Sequence, residues 1–141
     1  MKPIILISTA ILSLIAFTHQ IDNIDPTGTY QLGHRVKNKS GAIQGYFGTI
    51  QVKKIAPEKI AVTFDVNKGA PSYNSGSFVD TLTYKNNTAV YGDCEFDASC
   101  KITFNFDTKG VKVKESTDDF NNGCGFGHAV IADGYYRCIS H

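Results

Sequence analysis

The sequence predicts a small all-β protein, an antiparallel up-and-down β-barrel of about eight strands, with a two-sheet β-sandwich as the alternative. Three observations support this prediction. Apolar residues recur at every second position rather than with the helical period of about 3.6 residues. Glycines and short turn sequences separate the alternating segments. The chain also contains four cysteines, an even number that is typical of a disulfide-stapled exported domain.

A secretory signal peptide is predicted at residues 1–18. Lys2 provides a short positive region, residues 4–17 form an apolar run, and Ala16 and Thr18 are small residues at the spacing that a signal peptidase prefers. The run is too short for a stable membrane span, and an uncleaved N-terminal anchor is the alternative. Cleavage would leave a single β-barrel domain over residues 19–141, in the periplasm or outside the cell.

The charge balance bears on possible partners. The chain has 14 Lys and Arg against 13 Asp and Glu, and losing Lys2 with the leader makes the two sums equal. The longest basic run is Lys53-Lys54. Because such a surface lacks a basic cluster, we expect no nucleic-acid partner and no membrane insertion after signal cleavage.

Alternating segments follow the leader along the chain. They predict strands near residues 28–36, 42–54, 59–66, 77–85, 88–93, 101–106, 110–115 and 127–137. The apolar face of KIAVTFDV comprises Ile60, Val62, Phe64 and Val66. The apolar face of KITFNF comprises Ile102, Phe104 and Phe106. These two faces are predicted to point into the barrel.

Turn residues join the predicted strands as hairpins. DTKG at residues 107–110 lies between two alternating segments and marks the clearest hairpin. Asn86 and Asn87 tolerate the left-handed backbone that a two-residue hairpin turn requires. Gly45 and Gly48 predict bulges or tight bends in the second strand.

Two connections are longer than a hairpin turn, at residues 67–76 and 115–123. A meander of this size leaves two edges that need to be paired or covered. Gly28-Thr29-Tyr30 in the first strand and Gly134-Tyr135-Tyr136 in the last both read as pairing segments. We therefore expect these two strands to pair and close the barrel.

The cysteines are Cys94, Cys100, Cys124 and Cys138. Four cysteines allow three pairings, of which we favour Cys100–Cys124 with Cys94–Cys138. Each bridge would close a loop of roughly 25 to 45 residues, which the chain-entropy model equates with about 3–4 kcal/mol.

The segment NKGAPSYNSGSFVDTLTY begins as a loop and ends as a strand. Its loop at residues 68–77 is either a long turn or a surface that contacts a partner. In the second case Tyr73 supplies contact area at low entropic cost, and small polar side chains supply adaptable hydrogen bonds. The candidate binding residues are Ser72, Tyr73, Asn74, Ser75, Ser77 and Asp80.

Asp80 shares its predicted face with the apolar residues Phe78 and Leu82, and is expected to point inward. A buried carboxylate needs a hydrogen-bonding partner. It would bond either to the loop backbone or to a tyrosine hydroxyl, or else face a ligand in the mouth of the barrel.

No catalytic or metal-binding motif emerges. Cys124 and His128 would lie about 13 Å apart along an extended strand, too far to hydrogen-bond. In STDDFNNG, Phe120 interrupts the alternating ligands of a calcium loop. The chain also lacks a G-x-S-x-G nucleophile motif. We therefore expect a protein that is not an enzyme and has no catalytic residues, metal or cofactor.

The closing segment GCGFGHAVIADGYYRCIS, together with KGAPSYNSGSFVDTL and SCKITF, resembles a group of small exported bacterial β-proteins with a C-terminal CGFG…DGxY signature. The overall plan of signal, strands, disulfide and polar loops is similar to the periplasmic lysozyme-inhibitor barrels. That resemblance implies inhibition of a secreted enzyme by a loop inserted into its cleft.

The sequence thus favours an exported, non-enzymatic binding protein that uses the 68–77 loop. Its partner would be a protein such as a secreted hydrolase, or a small ligand. One alternative is a carrier of a small apolar ligand inside the barrel, because an eight-stranded barrel is about wide enough for one. Another is a structural envelope protein.

Overall fold

The computed structural model describes residues 23–33, 37–94 and 97–141, and for residues 93 and 94 only the backbone. The predicted signal peptide at residues 1–18 lies outside these ranges. Within them, no helix reaches the length and apolarity that crossing a bilayer requires.

Eight antiparallel strands form a closed barrel in which each strand pairs with its neighbours in sequence. The strands are β1 (Gly28–Leu32), β2 (Phe47–Ala56), β3 (Lys59–Asn67), β4 (Ser75–Lys85), β5 (Thr88–Cys94), β6 (Asp97–Phe106), β7 (Gly110–Ser116) and β8 (Gly134–Ser140). The prediction of an all-β up-and-down barrel is confirmed. The predicted pairing of the first and last strands is also confirmed, and Tyr30 on β1 lies opposite Cys138 on β8.

The barrel has two different ends. Short hairpin turns at residues 57–58, 86–87 and 107–109 lie at one end, which we call the turn end. Longer segments at residues 37–46, 68–74 and 117–133 lie at the other, and we call them the cap. The one-turn 3-10 helix Gly123–Gly125 belongs to the cap.

Alternate residues of each strand fill the interior. All seven predicted inward side chains on β3 and β6 are buried: Ile60, Val62, Phe64, Val66, Ile102, Phe104 and Phe106. The Phe64 ring lies at the centre of this core, 5.2 Å from Phe78, 6.0 Å from Phe126 and 5.9 Å from Tyr136 between ring centroids. Aromatic side chains therefore occupy the space that a bound ligand would need.

The predicted turns have the expected local chemistry. Asn86 and Asn87 have φ angles of 52° and 58°, the left-handed backbone of a two-residue hairpin turn. In the turn between β6 and β7, Asp107 Oδ1 accepts hydrogen bonds from Lys109 N at 2.7 Å and Gly110 N at 2.9 Å. An aspartate that bonds forward to the backbone in this way stabilises a turn.

Several predicted strand boundaries need correction, including the start of β6, which is Asp97 instead of residue 101, and the end of β8, which is Ser140 instead of residue 137. β1 ends at Leu32 and β2 begins at Phe47, because Gly33 has a φ of 62° and turns the chain away from the sheet. Of the predicted first strand, residues 34–36 lie outside the described ranges. β8 begins at Gly134 instead of residue 127, because Ala129 has a φ of 53° and the chain there belongs to the cap.

One disulfide prediction is confirmed and the other is not. Cys100 and Cys124 form a disulfide that ties β6 to the cap. The second predicted bridge, Cys94–Cys138, is not formed, because Cys138 carries a free thiol. The backbone of Cys94 pairs with Asp97 at the cap end of β5, whereas the amide of Cys138 donates to Lys109 O at the turn end. The two cysteines thus belong to opposite ends of the barrel.

The pairing of β4 with β5 is much shorter than that of β4 with β3. All nine residues of β3, from Lys59 to Asn67, pair with β4. Among the described residues, β4 and β5 pair only at Tyr84↔Ala89 and Lys85↔Thr88. Beyond these pairs the strands separate and leave a seam that is open to solvent.

Candidate functional site

The candidate binding loop was predicted at residues 68–77, but it comprises residues 68–74 because β4 begins at Ser75. It is held on both sides by the rest of the cap. On one side Ala70 N donates to Ile43 O at 2.8 Å, and Ile43 N donates to Tyr73 Oη at 3.0 Å. On the other side Asn74 Nδ2 donates to His128 O at 3.0 Å. The loop backbone is therefore fixed between two neighbouring segments.

Local chemistry explains how the chain builds this loop. Gly69 has a φ of 74°, and a Cβ there would lie 2.5 Å from Gly45 O and 2.8 Å from Ile43 O. Only glycine allows the two backbones to approach so closely. Tyr73 has a φ of 55°, and its amide donates to Gly69 O at 2.9 Å, which closes the turn.

The loop presents Pro71, Ser72 and Tyr73 to solvent. Tyr73 is 41% exposed although its hydroxyl accepts the bond from Ile43, so part of the ring is fixed and part is available for contact. Ser72 and Tyr73 are thus displayed on a pre-formed backbone. Asn74 is half-buried because its amide group supports the loop.

The remaining predicted binding residues lie on β4 and not in the loop. Ser75 and Ser77 are on the outer face of the strand, opposite Asn67 and Asp65 of β3. Ser75 directly follows the loop, whereas Ser77 and Asp80 lie farther along β4. The structure therefore brings together residues 72–75 and separates them from Ser77 and Asp80.

The prediction that Asp80 is buried is wrong. It pairs with the inward residue Val62, so it is on the predicted side of the sheet, but it is exposed. The reason is the seam, because β5 has already separated from β4 at this level. Its Oδ1 accepts a hydrogen bond from Thr81 N at 2.6 Å. Asp80 is thus neither buried nor bonded to the loop or to a tyrosine.

Sequence reasoning missed two exposed apolar residues of the cap. Phe120 is 72% exposed and Ile131 is 38% exposed. Both line a small cleft of about 120 Å³ together with Glu115 and Asp133. The signal was present in the sequence, because Phe120 is a large apolar side chain within the polar stretch STDDFNNG.

This cleft also contains the half-buried carboxylate of Glu115. Glu115 Oε2 accepts a hydrogen bond from Ala132 N at 2.6 Å, and Lys114 forms an ion pair with Asp133. Burial raises the pKa of Glu115, and the bond from Ala132 opposes this shift. Among the described atoms, Glu115 Oε1 is buried without a hydrogen-bond partner.

Catalytic and metal-binding arrangements are not found in the cap. The sulfur of Cys124 is bonded to Cys100, so Cys124 has no thiol that could serve as a nucleophile beside His128. In the acidic segment, Asp119 Oδ1 accepts hydrogen bonds from Asn121 N and Asn122 N, as in an ordinary turn. Within the described part of the chain, no group of three or more His, Cys, Asp or Glu could hold a metal ion.

Comparison of the chain with protein-family models, with curated proteins and with solved structures gives no match.

Proposed function

We propose that this chain is an exported, non-enzymatic binding protein that inhibits a secreted hydrolase, such as a lysozyme, by docking through the cap. The observation that carries the proposal is the fixed 68–74 loop, which displays a half-exposed tyrosine between two supporting segments. A loop that is already ordered loses little conformational entropy when a partner binds.

The composition of the cap supports a protein partner. Tyr73 offers a rigid amphipathic ring, and aromatic residues dominate the energetics of protein interfaces. Phe120 and Ile131 add exposed apolar surface at the same end of the barrel. Polar side chains such as Ser72 surround them and supply hydrogen-bonding groups, as the rim of an interface does.

The disulfide is consistent with export. Structural disulfides form and persist in oxidising compartments, and Cys100–Cys124 is such a bridge. Together with the predicted leader at residues 1–18, it supports a periplasmic or extracellular location. The filled interior gives no support to the carrier alternative, and no observation favours a structural envelope role.

Inhibition assays with a panel of chicken-type, goose-type and invertebrate-type lysozymes test the proposal. We expect the protein to slow bacterial lysis by at least one of them, and Tyr73→Ala to weaken this inhibition about tenfold or more. The matched control is Tyr135→Ala, because Tyr135 is 39% exposed but lies on β8, outside the cap. Equal inhibition by the two variants would reject the loop as the binding site.

If no lysozyme is inhibited, the inhibitor assignment to this enzyme class is wrong. The wider binding function is then tested with a photo-crosslinker at position 72 in periplasmic or extracellular extract. We expect a crosslinked adduct whose formation is prevented by an excess of the unlabelled protein. An excess of the unlabelled Tyr73→Ala variant should not prevent it. Absence of any adduct with this behaviour would overturn the binding function itself.

A further inference from the structure

Cys138 and His141 lie side by side at the turn end, opposite the cap. The Cys138 Sγ is 3.4 Å from His141 Nε2, and His141 Nδ1 is 3.1 Å from Thr27 O. A carbonyl oxygen can only accept, so in the neutral ring the proton is on Nδ1 and the lone pair of Nε2 faces the thiol. Cys138 thus supplies a nucleophile, His141 a base, and Thr27 O a group that orients the base.

Cys138 lines a cleft. Cys138 is half-buried, and together with His141 it lines a cavity of about 660 Å³. The other charged side chains that line this cavity are Lys109 and Arg137, both of which are basic. The nearby carboxylate of Asp107, which accepts hydrogen bonds from Lys109 N and the Tyr135 hydroxyl, offsets one of these two positive charges. The remaining positive charge favours an anionic reagent.

Two further titratable groups lie near the pair. The hydroxyl of Tyr30 donates to Pro26 O at 2.7 Å, and burial raises the pKa of Tyr30, so it stays protonated. Hydrogen bonds from Thr27 lower the pKa of Asp25. The charges of Lys54 and His141 act in the same direction.

We propose that Cys138 is a thiol–disulfide exchange site for small anionic disulfides, with His141 as its base. The proton of Cys138 moves to His141 Nε2, and the thiolate attacks one sulfur of the incoming disulfide. The S–S bond of that molecule breaks as the bond to Cys138 forms. The second sulfur leaves as a thiolate and takes the proton from His141, so Cys138 is oxidised and half of the incoming molecule is reduced.

Within the described part of the chain, no second free thiol lies at the turn end to resolve the resulting mixed disulfide. Cys100 and Cys124 are bonded to each other, and the backbone of Cys94 belongs to the cap end of the barrel. The adduct therefore persists until an external thiol removes it. This makes Cys138 a reversible modification site, independent of the proposed binding surface on the cap.

The test uses the mature chain with Cys94→Ser, which leaves Cys138 as its single cysteine outside the disulfide. We measure second-order rates against pH with two probes, dianionic dithiobis(nitrobenzoate) and neutral dithiodipyridine. One equivalent should react, and Cys138→Ser should abolish this. His141→Gln should slow both probes about tenfold at neutral pH, because the thiolate and not the thiol is the nucleophile. The matched control His128→Gln should change neither rate.

The cleft charges are tested separately. A double variant with Lys109→Gln and Arg137→Gln should react with the dianionic probe about threefold to tenfold more slowly. Its rate with the neutral probe should be unchanged. Lys101→Gln, a change on the exposed side of β6, is the control. The base assignment is overturned if His141→Gln keeps the parent rate and pH profile, and the anion preference is overturned if both probes slow equally. Circular dichroism verifies that each variant is folded.

Discussion

Asp97 shows how one side chain attaches the cap to the barrel. Its carboxylate accepts hydrogen bonds from the Ser99 hydroxyl at 2.5 Å, from Thr117 Oγ1 at 2.7 Å and from Cys124 N at 3.0 Å. These bonds, led by that of Ser99, hold the pKa of Asp97 far below its usual value of 3.8. The first residue of β6 therefore binds both the start of the long cap segment and the disulfide.

We expect Asp97→Asn to reduce the pH dependence of stability. A carboxylate with a lowered folded-state pKa stabilises the fold at neutral pH, and this stabilisation is lost as the pH falls below about 4. The wild-type free energy of unfolding, measured in urea, should therefore fall in that range. The variant should be less stable at neutral pH and lose less on acidification. Asp118→Asn, at an exposed neighbouring position, should follow the wild type; an unchanged slope for Asp97→Asn would contradict the assignment.

Gly76 shows how closely the cap packs into the barrel. A Cβ at this position would lie 2.2 Å from Cγ of Phe126, the buried ring that stacks on Phe64. Gly76→Ala should therefore lower the free energy of unfolding by about 1–3 kcal/mol, the usual cost of overpacking. Phe126→Leu in the same chain should recover part of this loss.

Urea denaturation measures both variants, with Gly92→Ala as the control. A Cβ at Gly92 has Cys100 O at 3.2 Å as its nearest contact, so the cost should be smaller. If Gly76→Ala is as stable as the wild type, Phe126 does not occupy the space beside β4.

At the scale of elements, the seam between β4 and β5 is the weakest part of the barrel wall. Tyr84 N donates to Glu58 O, so the amides of even-numbered β4 residues face β3 and those of odd-numbered residues face the seam. The rings of Phe78 and Tyr91 stack across the seam with centroids 3.8 Å apart. Side-chain contact thus replaces backbone pairing at this position.

Hydrogen exchange followed by NMR should reveal the seam. We expect the amides of Ser77 and Val79 to exchange at least about a hundredfold faster than those of Phe78 and Leu82, because the latter pair with β3. The four residues belong to one strand, so each serves as a control for its neighbour. Equal protection at odd and even positions would mean that β5 pairs with β4 along its length.

At the scale of the whole molecule, the barrel is a packed core that is closed at one end by the cap. Tyr136 is fully buried, and its hydroxyl donates to Ala132 O in the cap at 3.2 Å. Burial raises the pKa of Tyr136 far above its usual value, as expected for a phenol held in an apolar interior. The cap therefore packs directly onto the interior of the barrel.

The protein purified from cells should carry no apolar ligand in its barrel. Phe64, Phe104 and Tyr136 fill the interior with no exposed surface, so a lipid or similar molecule has no volume to occupy. Native mass spectrometry should give the mass of the polypeptide alone. A bound apolar molecule that survives purification in stoichiometric amount would contradict the packed interior and revive the carrier alternative.

Much of the fold could be predicted because it depends on local chemistry. Alternation within a few residues identified the inward faces of β3 and β6, and turn residues such as Asn86 and Asn87 marked the hairpins. Within the candidate site, the exposure of Tyr73 followed from a polar, Gly- and Pro-containing segment. The predicted start of β8 was wrong because HAVIAD alternates like a strand, whereas this segment turns at Ala129, whose amide bonds to Asn121 O within the cap.

The sequence by itself thus determined the alternating strands, their hairpin turns and the presence of a disulfide, because alternation, turn preferences and cysteine content depend on neighbouring residues or on simple counts. It left three cysteine pairings open, and only the fold decided that Cys100 bonds to Cys124 while Cys138 stays free. Only the tertiary structure decided that Asp80 lies at an open seam and that Cys138 faces His141. Both depend on how distant segments meet: β4 separates from β5, and His141 bonds to Thr27, 114 residues earlier. Such contacts are set by the register and closure of the whole sheet.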